Sequence, residues 1–274
     1  GAKNWLSLDS SKDFPIAADL TKLLKESLPD LQKHINTDHN LVSIGVGSGE
    51  KERLILEEMT KKGRPQYWCV DVSGSLVDVA MEAVGDMPVD TTGVVAYLED
   101  IDELAGLWQR PIMLSLLGNN FCNYEPDSLL PTVREELAGE DIFLFDCHLL
   151  DQPEKVNHAY RSYLNKQFNI QPLVARGLLP ESLEFHIELT SHKTSVGTAR
   201  RTRKWLEIKE DTELTVAGNN IRFKAGEEIE MGFTYKFETG QVEKLLEHYG
   251  FKILELKQSS ARNNMLVLAA GTRR

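Results

Sequence analysis

The chain has 274 residues, 41% of them hydrophobic, enough to bury one sizeable α/β domain or a domain with a subdomain, which argues against disorder. Its 42 acidic against 31 basic residues give a formal net charge of −11, so there is no diffuse basic field to hold a phosphate backbone and nucleic acid is disfavoured as a partner. The longest apolar run, 111–117, is too short to cross a bilayer and the N-terminus lacks the order of a signal peptide, so a soluble, cytoplasmic protein without a membrane partner is expected.

In chain order, Leu20, Leu23, Leu24 and Leu28 recur at helical steps, and Pro29-Asp30 predicts a break before another short helix. Residues 1–40 thus read as a helical segment lying against the main domain. From Leu41 short apolar runs at 41–46, 66–72, 94–98, 111–117 and 141–145 alternate with helical stretches such as 50–62 and 75–84. Strand and helix repeating in this way predict a parallel sheet with helices on both faces. A helical stretch at 156–168 leads into short alternating strands at 181–189, 212–216, 221–223 and 228–237, with VAGNN at 216–220 as a turn. The basic run TARRTRK at 198–204 reads as a solvated charged loop, with binding of an anion as the alternative. A helix at 241–249 ending at Gly250, then strands at 252–256 and 265–269, bring the chain back to complete the sheet with an antiparallel pair. The predicted organisation is a main domain of 41–178 and 238–274 with a β-rich cap inserted at 179–237. Cys69, Cys122 and Cys147 cannot all pair, and two lie in apolar runs, so buried reduced thiols are expected.

The chemistry-bearing signal is IGVGSGEKERLI at 44–55, where an apolar strand runs into Gly45, Gly47 and Gly49 and then a helix. Glycine admits positive φ and close ligand approach, and N–H groups at the helix start can meet an anion. The second strand ends in Asp71, close to the spacing of about 20 residues at which an acid meets ribose hydroxyls. A helix cap is the alternative role for Asp71. Beyond the third strand, Asp100 beside Ile101 is placed to bond an exocyclic amine and pack on an adenine face, or to be a solvated acid. A nicotinamide enzyme would show G-x-G-x-x-G with a small residue in the following turn; Glu52 stands there, so a cofactor without a pyrophosphate fits better.

Four segments carry a family likeness: GSGEKERL at 47–54, LLGNNFCNYEP at 116–126, IFLFDCHLLDQPEKV at 142–156 and TYKFETGQVEKLLEHYGF at 234–251. With them the chain resembles the histidine-specific methyltransferases of the ergothioneine pathway. The resemblance implies a Rossmann-like seven-stranded methyltransferase sheet and S-adenosylmethionine held by Gly45, Gly47, Ser48, Gly49 and Lys51. Asp71 would serve the ribose, Asp100 with Ile101 the adenine, and Gly118 and Asn119 the methyl-transfer site. Asn123 becomes the candidate catalytic and substrate-binding residue, where the family uses an asparagine on the substrate's backbone groups; an Asx turn is its structural alternative. The family places a glutamate, a serine and a tyrosine where this chain has Gly232, Thr234 and Leu150. Without the carboxylate, a charge-assisted hydrogen bond of roughly 1.5–3 kcal/mol to an imidazole is missing, so the expected acceptor is a small-molecule amine, of an amino acid or related compound other than histidine. A non-catalytic cofactor-binding module and an NAD(P)-dependent oxidoreductase are the other readings.

His34 and His39 lack metal-site spacing, so no metal is expected. His148, after the fifth strand, reads as a structural or solvated histidine or as a general base. Ser43 and Ser48 show no nucleophile elbow.

Overall fold

Both faces of the central strands are covered, which is why they read as unbroken apolar runs rather than alternating ones. The computed structural model describes residues 2–11, 15–150, 160–238 and 240–272. In it β1 (Asn40–Ile44), β2 (Gln66–Asp71), β3 (Asp90–Val95), β4 (Ile112–Leu116) and β5 (Ile142–His148) pair in parallel. After β6 to β10, described below, β11 (Phe251–Gln258) and β12 (Asn264–Gly271) return, with β12 antiparallel to both β5 and β11. The seven strands lie in the order β11-β12-β5-β4-β1-β2-β3.

Alternate residues of each strand serve opposite cores. Val42, Ile44, Leu114, Leu116, Phe143 and Phe145 pack on one face with α5 (Ile101–Ala105), α6 (Pro126–Glu136) and α8 (Gln241–His248). Leu41, Met113 and Leu144 pack on the other with α2 (Pro15–Leu31), α3 (Glu50–Met59) and α4 (Gly74–Ala83). No helix among the described residues is long and apolar enough to cross a membrane. All three cysteines are buried and free.

Between β5 and β11 lies α7 (Tyr163–Val174), then β6 (Leu183–Thr194), β7 (Gly197–Ile208) and β10 (Glu228–Lys236) in the order β10-β7-β6, with β8 (Thr212–Val216) and β9 (Asn219–Phe223) as a separate hairpin. The expected turn at 216–220 is that hairpin's turn, with Ala217 and Gly218 at φ 49° and 81°.

Three expectations are corrected. The basic run 198–204 is the central strand β7, not a loop. Thr198 and Thr202 suit a pleated surface, and two of its cations are paired, Arg203 with Glu228 and Glu230 on the neighbouring β10 and Arg201 with Glu125 at the N-cap of α6. The third strand lies at Asp90–Val95, about four residues early, because an edge strand paired only with β2 needs no apolar run and mostly faces solvent. Pro29 does not break α2; it sits in the last turn, where the leucine face still buries Leu31. A separate helix α1 (Ala2–Asp9) precedes α2. Of the helix expected at 156–168, residues 156–159 lie outside the described residues.

The aromatic stack Phe121-Phe145-Phe143 is fully buried beside the end of β4. Phe145→Ala is expected to cost about 3–5 kcal/mol of stability, and Val95→Thr on the exposed edge less than about 0.5, both read from urea midpoints.

Candidate functional site

The C-terminal ends of parallel strands are where an α/β sheet leaves a crevice, because the loops there diverge to opposite faces. A cavity of about 620 Å³ occupies that edge, reached by Ile44 of β1, Asp71 of β2, Ala96 after β3, Gly118 after β4 and His148 of β5. Its other walls come from α1 (Trp5, Leu8, Asp9), α7 (Asn165, Phe168), β7 (Lys204) and β10 (Met231 to Thr234).

The glycine turn forms one wall, and each of its glycines is required. Gly45, Gly47 and Gly49 have φ of 75°, 56° and 75°; a Cβ on Gly45 would lie 2.3 Å from Asn120 Nδ2 and one on Gly49 2.8 Å from the Ala80 backbone. The Ser48 hydroxyl oxygen is buried without a hydrogen-bond partner among the described residues, and Gly49, in left-handed conformation, caps α3. Lys51 reaches back under Gly118 and lies 3.7 Å from Asp9 Oδ2. Glu52 points into the sheet, where Ser43 donates to it at 3.0 Å and shares a 2.6 Å bond with Ser115. Its burial pushes that carboxyl above the usual range and fills the space that a close dinucleotide crossing would need.

Asp71 accepts from Ser73 N at 2.9 Å and Gly47 N at 3.4 Å, and burial raises its pKa. The N-cap of α4 is Ser73, so Asp71 points to the cavity rather than capping the helix. The turn and the acid form a polar cradle of the kind an adenosyl cofactor with an amino-acid tail requires, so the residues fit that group.

The predicted site residues divide into three sets. Gly45, Gly47, Lys51, Asp71, Gly118, Asn119, Asn123, Gly232 and Thr234 all line the cavity, and Ser48 and Gly49 complete its glycine turn. Asp100, Ile101 and Leu150 do not line it. Asp100 is spent on its own turn, accepting from Tyr97 N at 3.0 Å; Ile101 is buried in the sheet core; and Leu150 sits where its N–H bonds Phe237 O. Because β3 ends early, Leu98 and Ala96 supply the apolar surface that Ile101 was expected to give. Asn123 makes no hydrogen bond among the described residues, so its side chain is not tied into an Asx turn.

Asn120 and Lys236, not singled out in the sequence, join Asn119, which was, in tying the walls of the cavity together. Asn120 donates to Gly45 O and Leu117 O, both at 2.7 Å, and so staples the glycine turn to β4. Asn119, at φ 65°, accepts from His148 N at 3.2 Å and donates to Thr234 Oγ1 at 2.8 Å, joining β5 to β10. Lys236 is fully buried and donates to His148 Nδ1, Tyr160 Oη and Thr234 Oγ1 at 3.1, 3.2 and 3.1 Å. Burial brings Lys236 down to about 7 and Lys204 to about 8, and holds His148 neutral with its pKa well below the ordinary value. As Lys236 and Tyr160 both donate toward Nδ1 of His148, the network assigns the ring proton to Nε2. Both other histidines of interest are structural, His34 bonding Glu255 and His39 bonding Asn36 and Glu140 O.

A family model described as histidine-specific methyltransferase, SAM-dependent, matches residues 1–270. No curated protein matches the sequence. Among solved structures, the CurJ carbon methyltransferase is 12% identical at TM-score 0.53, with 99% of this chain aligned to 58% of that one. A S-adenosylmethionine-dependent methyltransferase from Clostridium acetobutylicum is 12% identical, with 93% and 92% of the two chains covered and a TM-score of 0.45. A SAM-dependent methyltransferase from Aquifex aeolicus is 11% identical, with 98% and 97% covered and a TM-score of 0.48. At such identity the CurJ likeness speaks to the fold.

Lys204 and Lys236 have folded-state pKa values below their unfolded 10.5, so their stabilising contributions are present above pH 10.5 and lost as the pH falls through about 8 and about 7 respectively. Wild-type stability is therefore expected to fall more steeply than that of Lys236→Met between pH 10.5 and 7, as urea midpoints measured at each pH will register.

Proposed function

The chain belongs to the family of histidine-specific, S-adenosylmethionine-dependent methyltransferases, and from that membership we propose that it methylates the amine of an amino acid or related small molecule other than histidine. The observation that carries the departure from histidine is that no free carboxylate stands in the acceptor half among the described residues. Among the described lining residues the acids are Asp9, beside Lys51, and Asp71, under the glycine turn. Opposite them stand Gly232, Thr234, Lys204 and His148, which offer an imidazole no anionic partner.

S-adenosylmethionine supplies an activated methyl group, so the protein's own part is alignment and exclusion of water. Asp71 keeps lone-pair capacity beyond its backbone donors Ser73, Gly47 and Val72, and this suits a ribose hydroxyl. Leu98, Ala96 and Leu76 offer an apolar face for the adenine, and Lys51 with the turn's N–H groups suits the carboxylate of the methionine tail. Asn123, with a free amide at the cavity, orients the acceptor; Gly232 and Thr234 on β10 form its far wall, and the strands at 179–237 act as a cap over it. Helix α1 roofs the turn, with the Trp5 indole nitrogen 3.0 Å from where a Cβ of Gly47 would stand.

Isothermal titration with S-adenosylhomocysteine, followed by histidine, tests the reading. Cofactor-product binding without histidine binding is expected, and tight histidine binding overturns the acceptor assignment. Asp71→Ala is expected to weaken S-adenosylhomocysteine about 10- to 100-fold, the loss of one or two hydrogen bonds to a charged group. Asn123→Ala is expected to lower methyl transfer to amines while leaving that affinity intact, as a labelled-cofactor assay on amine mixtures will show.

A further inference from the structure

Among the described residues no carboxylate pairs with either of two lysines at the far side of the cavity, Lys204, which lines it, and Lys236, which is buried beside Tyr160. Lys204 lies at the middle of β7, where its ladder neighbours are Gly232 on β10 and Ile187 on β6, neither of them charged. Because Gly232 has no side chain, and a Cβ there would meet nothing within 4 Å, the lysine stem has open space beside it toward the cavity it lines. Among the described residues Lys204 makes no hydrogen bond or ion pair; its only recorded contact is the Tyr160 ring, 6.0 Å from the ammonium. Lys236 stands behind it, fully buried, with the Tyr160 ring 4.9 Å away. Its four hydrogen-bond partners, His148, Tyr160, Thr234 and the Tyr235 carbonyl, are all uncharged.

A cation held away from water without an opposite charge is costly unless a ligand brings the missing negative charge. The rest of this wall is disposed to donate. His148 keeps a proton on Nε2, which has no protein partner among the described residues, while Thr234 accepts from both Asn119 and Lys236 and bonds Tyr160 with its own hydroxyl. A carboxylate is acceptor-only and binds best where several donors converge and one is charged.

Resting on the methyltransferase reading above, we propose that Lys204, backed by Lys236, forms an anion subsite in the acceptor half of the cavity that binds a carboxylate of the methyl acceptor. The acceptor is thereby an amine that carries its own carboxylate, seated with that group on β7 and its nitrogen toward Asn123. Trp5, Phe168 and Phe233 supply the apolar surface for its remaining part. The carboxylate also supplies the charge that the wall lacks, so binding and the stability of the cap are coupled.

The test is calorimetry on protein saturated with S-adenosylhomocysteine, using tryptophan, phenylalanine, tyrosine and leucine, each beside its carboxamide, and inorganic phosphate as a separate arm. At least one acid is expected to bind tenfold or more tightly than its amide. Lys204→Met is expected to erase that preference, Lys204→Arg to retain it, and both to leave S-adenosylhomocysteine affinity unchanged. Equal binding of acids and amides, a preference that survives Lys204→Met, or binding of phosphate but of no acid each overturns the subsite while leaving the cofactor assignment standing. Failure of wild-type protein to bind S-adenosylhomocysteine overturns the cofactor reading, and the acceptor subsite with it.

Discussion

The site depends on one buried carboxylate. Asp146 of β5 accepts from Gly118 N at 2.7 Å and from Asn119 N at 3.0 Å, and so holds the chain as it leaves β4 in two successive left-handed conformations. Burial pushes Asp146 up to about 7, against the opposite pull of those two N–H groups and of Lys51. From that pinned corner Asn120 reaches the glycine turn on one side, and Asn119 reaches His148 and Thr234 on the other. One carboxylate thus sets the relative position of the cofactor wall and the acceptor wall.

The two walls differ in charge. On the glycine side Asp71 and Asp9 are acidic and Lys51 lies between them, a mixture suited to a zwitterionic ligand. Across the cavity the described groups are lysines and neutral donors. The division follows from strand geometry: β1, β2 and β4 end in the turn and its acid, whereas β7 and β10 reach the same space from a separate antiparallel sheet. A shift of register in β10 between Glu230 and Gly232 breaks the alternation of its side chains, and Met231, Gly232, Phe233 and Thr234 all border the cavity in consequence.

Much of the central sheet was legible because burial on both faces leaves a dense apolar run at every strand, and β1, β2, β4 and β5 fall within a few residues of their predicted places. The edge strand β3 was displaced because solvent-facing positions such as Thr92 and Val95 carry no such signature. Strand β7 was hidden for a different reason. Its Arg201 and Arg203 look solvated in sequence, and only the pairing with Glu125, Glu228 and Glu230, up to 76 residues away, makes a central strand of a basic run.

The same division holds at the site. Glycines needing positive φ, an acid ending the next strand and the family likeness are local features, so the sequence by itself determined the methyltransferase family, its cofactor and the turn with Asp71. Asn123, Gly232 and Thr234, named from the family likeness, do line the cavity, but the rest of that wall was decided by tertiary structure. Leu150 and Ile101 were turned away from the cavity by packing and backbone pairing, whereas Lys204 and Tyr160 were brought to it from a strand and a loop distant in the chain, with Lys236 buried beside Tyr160. Their meaning depends on burial and on the absence of a neighbouring opposite charge, and both are properties of the space between elements rather than of any stretch of sequence.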